Sequence, residues 1–102
     1  MTRHKIGTLA DLPEGESLSV EVDGLEIAVF NVDGELYALQ NKCVHKQGPM
    51  YDAEINADEK TVYCPLHYWE FELDSGEFII DRNKGLRTFE VDVNGDGIFI
   101  KI

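Results

Sequence analysis

The chain has 102 residues and a formal net charge of -11, from 20 Asp and Glu against 9 Lys and Arg, which suits one domain with one core and leaves no room for a separate catalytic domain. The acidity disfavours nucleic acid, whose phosphates need a basic surface, and favours proteins with basic patches or simply a well-solvated surface. No apolar run approaches the roughly 18 residues needed to cross a bilayer, and Met1-Thr2-Arg3-His4-Lys5 leads into no signal-peptide core, so a soluble, cytoplasmic protein with no membrane insertion is expected.

His4 to Gly7 reads as a short strand, followed by a turn-rich connection from Leu9 to Glu16 punctuated by Pro13 and Gly15. Ser17 to Val22 alternates polar and apolar residues, which puts Leu18, Val20 and Val22 on one face of a second strand. Asp23-Gly24 signals a tight hairpin into Leu25 to Asn31, whose more continuous apolar run predicts a central strand, and Asp33-Gly34 signals another into Glu35 to Gln40. A loop with Cys43 and His45 comes next, then a polar stretch, Tyr51 to Lys60. Thr61-Val62-Tyr63 is a short strand ending on a second loop with Cys64 and His67. Tyr68 to Leu73 alternates and turns at Asp74-Ser75-Gly76 into a short strand partner, Glu77 to Ile80. After a polar loop, Asp81 to Gly85, a closing hairpin pairs Leu86 to Val93 with Ile98 to Ile102, with Phe89, Val91 and Val93 sharing a face. The pattern holds no helix beyond a turn or two and no repeat. It predicts an all-β antiparallel sandwich or barrel, a single domain over 1–102, with the two Cys/His loops at one end.

Those loops hold both cysteines and two of the three histidines. A tetrahedral Cys₂His₂ zinc site is one reading, but zinc spacings usually put about two to four residues between paired cysteines and about three to five between paired histidines. Here each pair is mixed, Cys43-x-His45 and Cys64-x-x-His67, with 18 residues between His45 and Cys64. A [2Fe-2S] cluster in which two His replace two Cys on one iron needs each loop to reach both irons, and mixed pairs meet that need. Without an export signal, and with each Cys beside a His, a disulfide is disfavoured. His4 has no Cys neighbour and is assigned no role. The neighbouring carboxylates Glu14/Glu16 and Asp58/Glu59 come with no pocket-forming pattern, and no Gly-rich nucleotide loop or Ser/His/Asp set accompanies them, so no catalytic residue is assigned.

The stretches Cys43-Val44-His45-Lys46-Gln47-Gly48-Pro49-Met50 and Cys64-Pro65-Leu66-His67-Tyr68-Trp69-Glu70-Phe71 resemble the two cluster loops of the Rieske family. The likeness continues through Asp74-Ser75-Gly76-Glu77 and Leu86-Arg87-Thr88-Phe89-Glu90-Val91 to the last strand. Tyr68 and Gln47 stand where the family often has Gly, which leaves the ligands untouched. The resemblance implies a base of antiparallel strands carrying a small cluster-binding subdomain, about 41–80 here. It also implies one [2Fe-2S] cluster, with Cys43 and Cys64 on the inner iron and His45 and His67 on the outer, redox-active iron. Trp69 would pack over the cluster, Met50 and Leu66 would form a docking surface, Pro49 and Pro65 would restrict the loops, and Gly48 would permit a tight turn.

The implied role is electron transfer from a flavoprotein or NAD(P)H-linked reductase to an oxygenase or other redox enzyme. A small subunit of a larger oxidoreductase, such as nitrite reductase, is a second setting. A zinc-binding or metal-free interaction module is a reading of another class. High-potential members of the family carry a Ser two residues and a Tyr four residues after the second ligand His, and a disulfide joining the loops. The matching positions here are Trp69 and Phe71, and Gly48 and Leu66, so a low potential is expected.

Overall fold

The computed structural model describes residues 3–41, 53–64, 69–81 and 83–101. Its strands in chain order are β1 (Arg3–Thr8), β2 (Ser17–Val22), β3 (Leu25–Val32), β4 (Glu35–Gln40), β5 (Glu54–Asn56), β6 (Thr61–Tyr63), β7 (Glu70–Glu72), β8 (Thr88–Asn94) and β9 (Gly97–Lys101). Among the described residues the one helical element is a 3-10 turn, Leu9–Asp11, started by Asp11 Oδ2 accepting from the Thr8 amide and hydroxyl at 3.0 and 3.1 Å.

Six strands make an antiparallel sheet in the order β1-β9-β8-β4-β3-β2, and β5-β6-β7 make a smaller one. The β2-β3-β4 meander follows the sequence closely. At both of its turns Asp and Gly take positive φ, 51° and 82° at Asp23 and Gly24 and 53° and 90° at Asp33 and Gly34, the two-residue geometry whose twist matches the flanking strands. The edge strands β1 and β2 approach one another, with His4 Nε2 3.4 Å from Asp23 Oδ2, so the larger sheet is nearly closed into a barrel.

The continuous apolar run of β3 is explained by burial on both faces. Ile27 and Val29 face a core shared with Leu12, Val22, Ala38, Phe89, Ile98 and Ile100. Ala28, Phe30 and Val32, together with Leu39, face a second core against Val62, Cys64, Phe71 and Leu73 from the small sheet. Each Val, Leu, Ile or Phe among them contributes about 1.5–3 kcal/mol when fully buried. The exposed ion pairs Arg3–Asp92 at 3.3 Å and Lys101–Glu90 at 3.5 Å add about 0–1 kcal/mol each, so the two cores hold the fold. Buried Asn31 fixes the turn-rich connection, its Nδ2 donating to the Leu12 carbonyl at 2.8 Å while its Oδ1 accepts from the Gly34 amide at 3.0 Å.

The polar stretch 51–60 contains β5, paired to β6 from Glu54 opposite Tyr63 to Asn56 opposite Thr61. Glu77 to Ile80 forms no strand. It makes single bridges, Phe78 to Phe71 and Glu77 to Gly85, because the chain turns away from β7 to meet the segment that returns to β8. On β8 the expected alternation fades, leaving Val93 43% exposed, since the strand runs past the core there. Among the described residues no helix is long and apolar enough to cross a membrane.

Candidate metal centre

The base of the second Cys/His loop is built by the small sheet. Pairing of Thr61, Val62 and Tyr63 with Glu72, Phe71 and Glu70 brings Cys64 beside Trp69, where the Cys64 amide donates to the Trp69 carbonyl at 2.8 Å. The Thr61 hydroxyl donates to the Glu70 carboxylate and secures the same register. The Cys64 thiol is 1% exposed, in no disulfide, and packed into the core with Val62, Phe71 and Leu73. Trp69 lies flat on Phe78, ring centroids 4.2 Å apart, and the Lys84 ammonium stands 5.6 Å from the indole centroid, within cation–π range.

The base of the first loop is fixed just before Cys43. Asn41 is buried, its amide donating to the Glu26 carbonyl at 2.9 Å and its Nδ2 to the Ser19 hydroxyl at 2.9 Å. Gln40 and Arg87 exchange two bonds. The Gln40 amide donates to the Arg87 carbonyl at 2.8 Å, and the Arg87 amide donates to Gln40 Oε1 at 2.8 Å. The stretches 77–81 and 83–87 therefore reach the two loop bases, the first through Phe78 on Trp69 and the second through Arg87 on Gln40.

Of the four expected ligands, Cys64 lies among the described residues; Cys43, His45 and His67 lie outside them, as do Gln47, Gly48, Pro49, Met50, Pro65, Leu66 and Tyr68. His4 sits apart on β1, close enough to Asp23 for charge pairing but without hydrogen-bond geometry at its buried Nε2. Glu14, Glu16, Asp58 and Glu59 are exposed, and among the described residues no group of His, Cys, Asp and Glu could rival the loops as a metal site. Phe78, Lys84, Gln40 and Asn41 were not foreseen as loop supports. A polar Asn after an apolar strand and before Cys43 is the one signal in the sequence, and it points to Asn41 alone.

A family model described as the Rieske [2Fe-2S] domain matches residues 2–90. The chain is 39% identical over 95 residues to the 3-phenylpropionate/cinnamic acid dioxygenase ferredoxin subunit of Shigella boydii serotype 4 (strain Sb227), covering 92% of this chain and 88% of that protein. In structure it is similar to the ferredoxin of carbazole 1,9a-dioxygenase from Nocardioides aromaticivorans IC177, with a TM-score of 0.90, 27% identity, and coverage of 98% of this chain and 97% of that one. The terminal oxygenase of carbazole 1,9a-dioxygenase from Novosphingobium sp. KA1 shares the fold at a TM-score of 0.87 and 20% identity, with 98% of this chain spanning 29% of that one.

The donor chemistry around Cys64 fits an iron–sulfur group. Cysteine sulfur is a soft ligand suited to iron–sulfur clusters, and the Cys64 sulfur is in no disulfide. The apolar wall of Val62, Phe71 and Leu73 keeps water from the sulfur, and the Cys64–Trp69 backbone bond fixes where the sulfur sits.

Proposed function

Because this chain belongs to the Rieske [2Fe-2S] domain family, we propose that it carries single electrons from a flavoprotein or NAD(P)H-linked reductase to a terminal oxygenase and catalyses no reaction of its own. Its cofactor is one [2Fe-2S] cluster, which supplies one-electron chemistry when bound. Cys43 and Cys64 hold the inner iron through thiolates, and His45 and His67 hold the outer iron through neutral imidazoles. In this reading the whole of 1–102 acts as one Rieske domain, with about 41–80 as its cluster-binding part, and a nicotinamide-linked electron supply is in keeping with work in the cytoplasm.

The observation that carries this reading is the buried, unpaired Cys64 at a loop base tied to Trp69, in a chain that matches a dioxygenase ferredoxin subunit along nearly its full length and a much longer terminal oxygenase over only part of it. The residues themselves do three things. Cys64 anchors the cluster in the apolar wall of the small sheet. Trp69, held by Phe78, keeps the loop that bears His67 closed at its base. Asn41 and Gln40 do the same for the loop that bears Cys43 and His45. A match to the ferredoxin subunit of 3-phenylpropionate/cinnamic acid dioxygenase favours an aromatic-ring dioxygenase as the acceptor.

A reductive titration with gel filtration tests the proposal. A carrier takes up a single electron per chain, elutes without a permanent partner, and is required for turnover when reductase and oxygenase are mixed. Turnover at full rate without it, or recovery only as a subunit of a larger enzyme, contradicts the proposal.

A further inference from the structure

The chain has five asparagines, and the fold leaves one of them open to chemistry that it denies the others. Asn31 and Asn41 are buried, their Nδ2 groups donating to the Leu12 carbonyl at 2.8 Å and to the Ser19 hydroxyl at 2.9 Å. Asn56 accepts the Glu59 amide on Oδ1 at 3.3 Å and is followed by Ala57. Asn83 is exposed, but the amide that follows it, that of Lys84, donates to the Asp81 carbonyl at 3.0 Å. Asn94 differs on each count. It is exposed, and so is Gly95 after it. Asn94 pairs with Gly97 at the end of the β8-β9 hairpin, and of the two turn residues between them Gly95 alone takes positive φ, +65°, the arrangement with Gly at the first central position. Among the described residues the Gly95 amide donates no hydrogen bond, and a Cβ on Gly95 would meet nothing within 4 Å. A carboxamide, a free backbone nitrogen that can attack it, and open solvent therefore meet at one place.

We propose that Asn94-Gly95 is a site of covalent self-modification, with water as the other reactant. The Gly95 nitrogen gives its proton to solvent and bonds to Asn94 Cγ, the Cγ–Nδ2 bond breaks, and the side-chain amide leaves as ammonia, closing a five-membered succinimide. Water then opens the ring, with no oxidant or reductant involved. Addition at Cγ leaves an aspartyl residue at position 94. Addition at the α-carbonyl breaks its bond to the Gly95 nitrogen and leaves an isoaspartyl link, with an extra carbon in the backbone. Gly95 permits the closure because no side chain crowds the attacking nitrogen. The isoaspartyl link displaces the Asn94–Gly97 pair and with it Asp96, whose carbonyl accepts the Leu9 amide at 2.8 Å just beyond the end of β1. Thr88, at the other end of β8, pairs with Leu39 beside the loop bases, about 20 Å away along the strand. The change therefore loosens the β1-β9-β8 side of the sheet and leaves the cluster end intact.

Full-length, cluster-loaded protein held at growth temperature, then digested and mapped by mass, tests this, since the map reads the exchange of NH₂ for OH and separates isoaspartyl from aspartyl peptides. Position 94 should convert first, roughly tenfold faster than position 83, a barrier difference of about 1.4 kcal/mol. Gly95→Ala, for which there is room, should slow the conversion, and Asn94→Gln, whose ring closure is less favourable, should abolish it. The isoaspartyl fraction should melt below Asn94→Asp, which carries the new charge without the extra carbon, while its visible spectrum matches that of fresh protein. Conversion at position 83 first, conversion of Asn94 in urea but not in the folded chain, or an isoaspartyl fraction as stable as Asn94→Asp would overturn the inference.

Discussion

The ring of Phe78 lies parallel to the indole of Trp69, their planes 4° apart and their centroids separated by 4.2 Å. Phe78 also meets Phe71 at 5.5 Å, so one side chain joins the core of the small sheet to the residue that closes the second ligand loop. Removing it leaves a cavity and unstacks Trp69. Phe78→Ala should cost about 3–5 kcal/mol, read by urea denaturation, and should make the visible spectrum bleach faster under a chelator. Phe78→Leu, which fills most of the volume, should recover much of the stability but less of the cluster's resistance, because the flat stack is lost.

Gly76 has φ of +75°, and a Cβ there would run into the Leu86 carbonyl oxygen. Its own carbonyl accepts the Leu86 amide at 2.8 Å, so the backbones must approach closely at this point. Gly95 also has positive φ, +65°, but nothing lies near its Cβ position. Gly95→Ala should therefore cost on the order of 1 kcal/mol for conformation alone, and Gly76→Ala clearly more, in parallel thermal or urea melts.

The Tyr37 hydroxyl donates to Glu35 Oε2 at 2.7 Å. That bond, with some burial and the charges of Glu35 and Asp74, pushes its pKa from 10.0 up to about 12. The folded protein holds this proton more tightly than the unfolded chain, so the contribution to stability is fully present below pH 10 and is lost as pH rises through about 12. A spectrophotometric phenolate titration should show Tyr37 ionising late, and Glu35→Gln should bring it earlier.

Strands are most legible where one local rule decides them. Ser17–Val22 alternates up to the Asp23-Gly24 turn, Glu35–Gln40 follows the Asp33-Gly34 turn, and the apolar run from Leu25 reports burial on both faces. β5 is not legible because Glu54-Ile55-Asn56 holds one apolar residue and is a strand by virtue of backbone pairing with β6. Glu77 to Ile80 has the composition of a strand, but the turn back towards Gly85 draws it away after one bridge. For the Cys/His loops the spacing is what supports the proposed ligand set, because two irons would impose a mixed pair on each loop. The clamp of Phe78 and Lys84 on Trp69 is not legible, since tertiary packing alone brings those residues together.

In Trp69 and Phe71 the chain lacks the hydroxyls that the resemblance associates with a high potential. Phe71 is fully buried against Val62 and Leu73 with no group that can donate to sulfur, and the Trp69 ring is engaged by Phe78 and Lys84. Donated hydrogen bonds stabilise the reduced, more negative cluster. The midpoint potential should accordingly lie near the low end of the range of about -150 to +300 mV. Trp69→Ser with Phe71→Tyr should raise it in a redox titration, and a wild-type midpoint well above zero at pH 7 would contradict the reasoning.

Iron and acid-labile sulfide, assayed side by side in the wild type, His67→Ala and His4→Ala, test the ligand set most directly. Wild type and His4→Ala should each hold about two irons and two sulfides per chain with the same visible spectrum, while His67→Ala should lose both iron and colour. Identical loading of the two histidine variants, or zinc in place of iron in the wild type, would contradict the account.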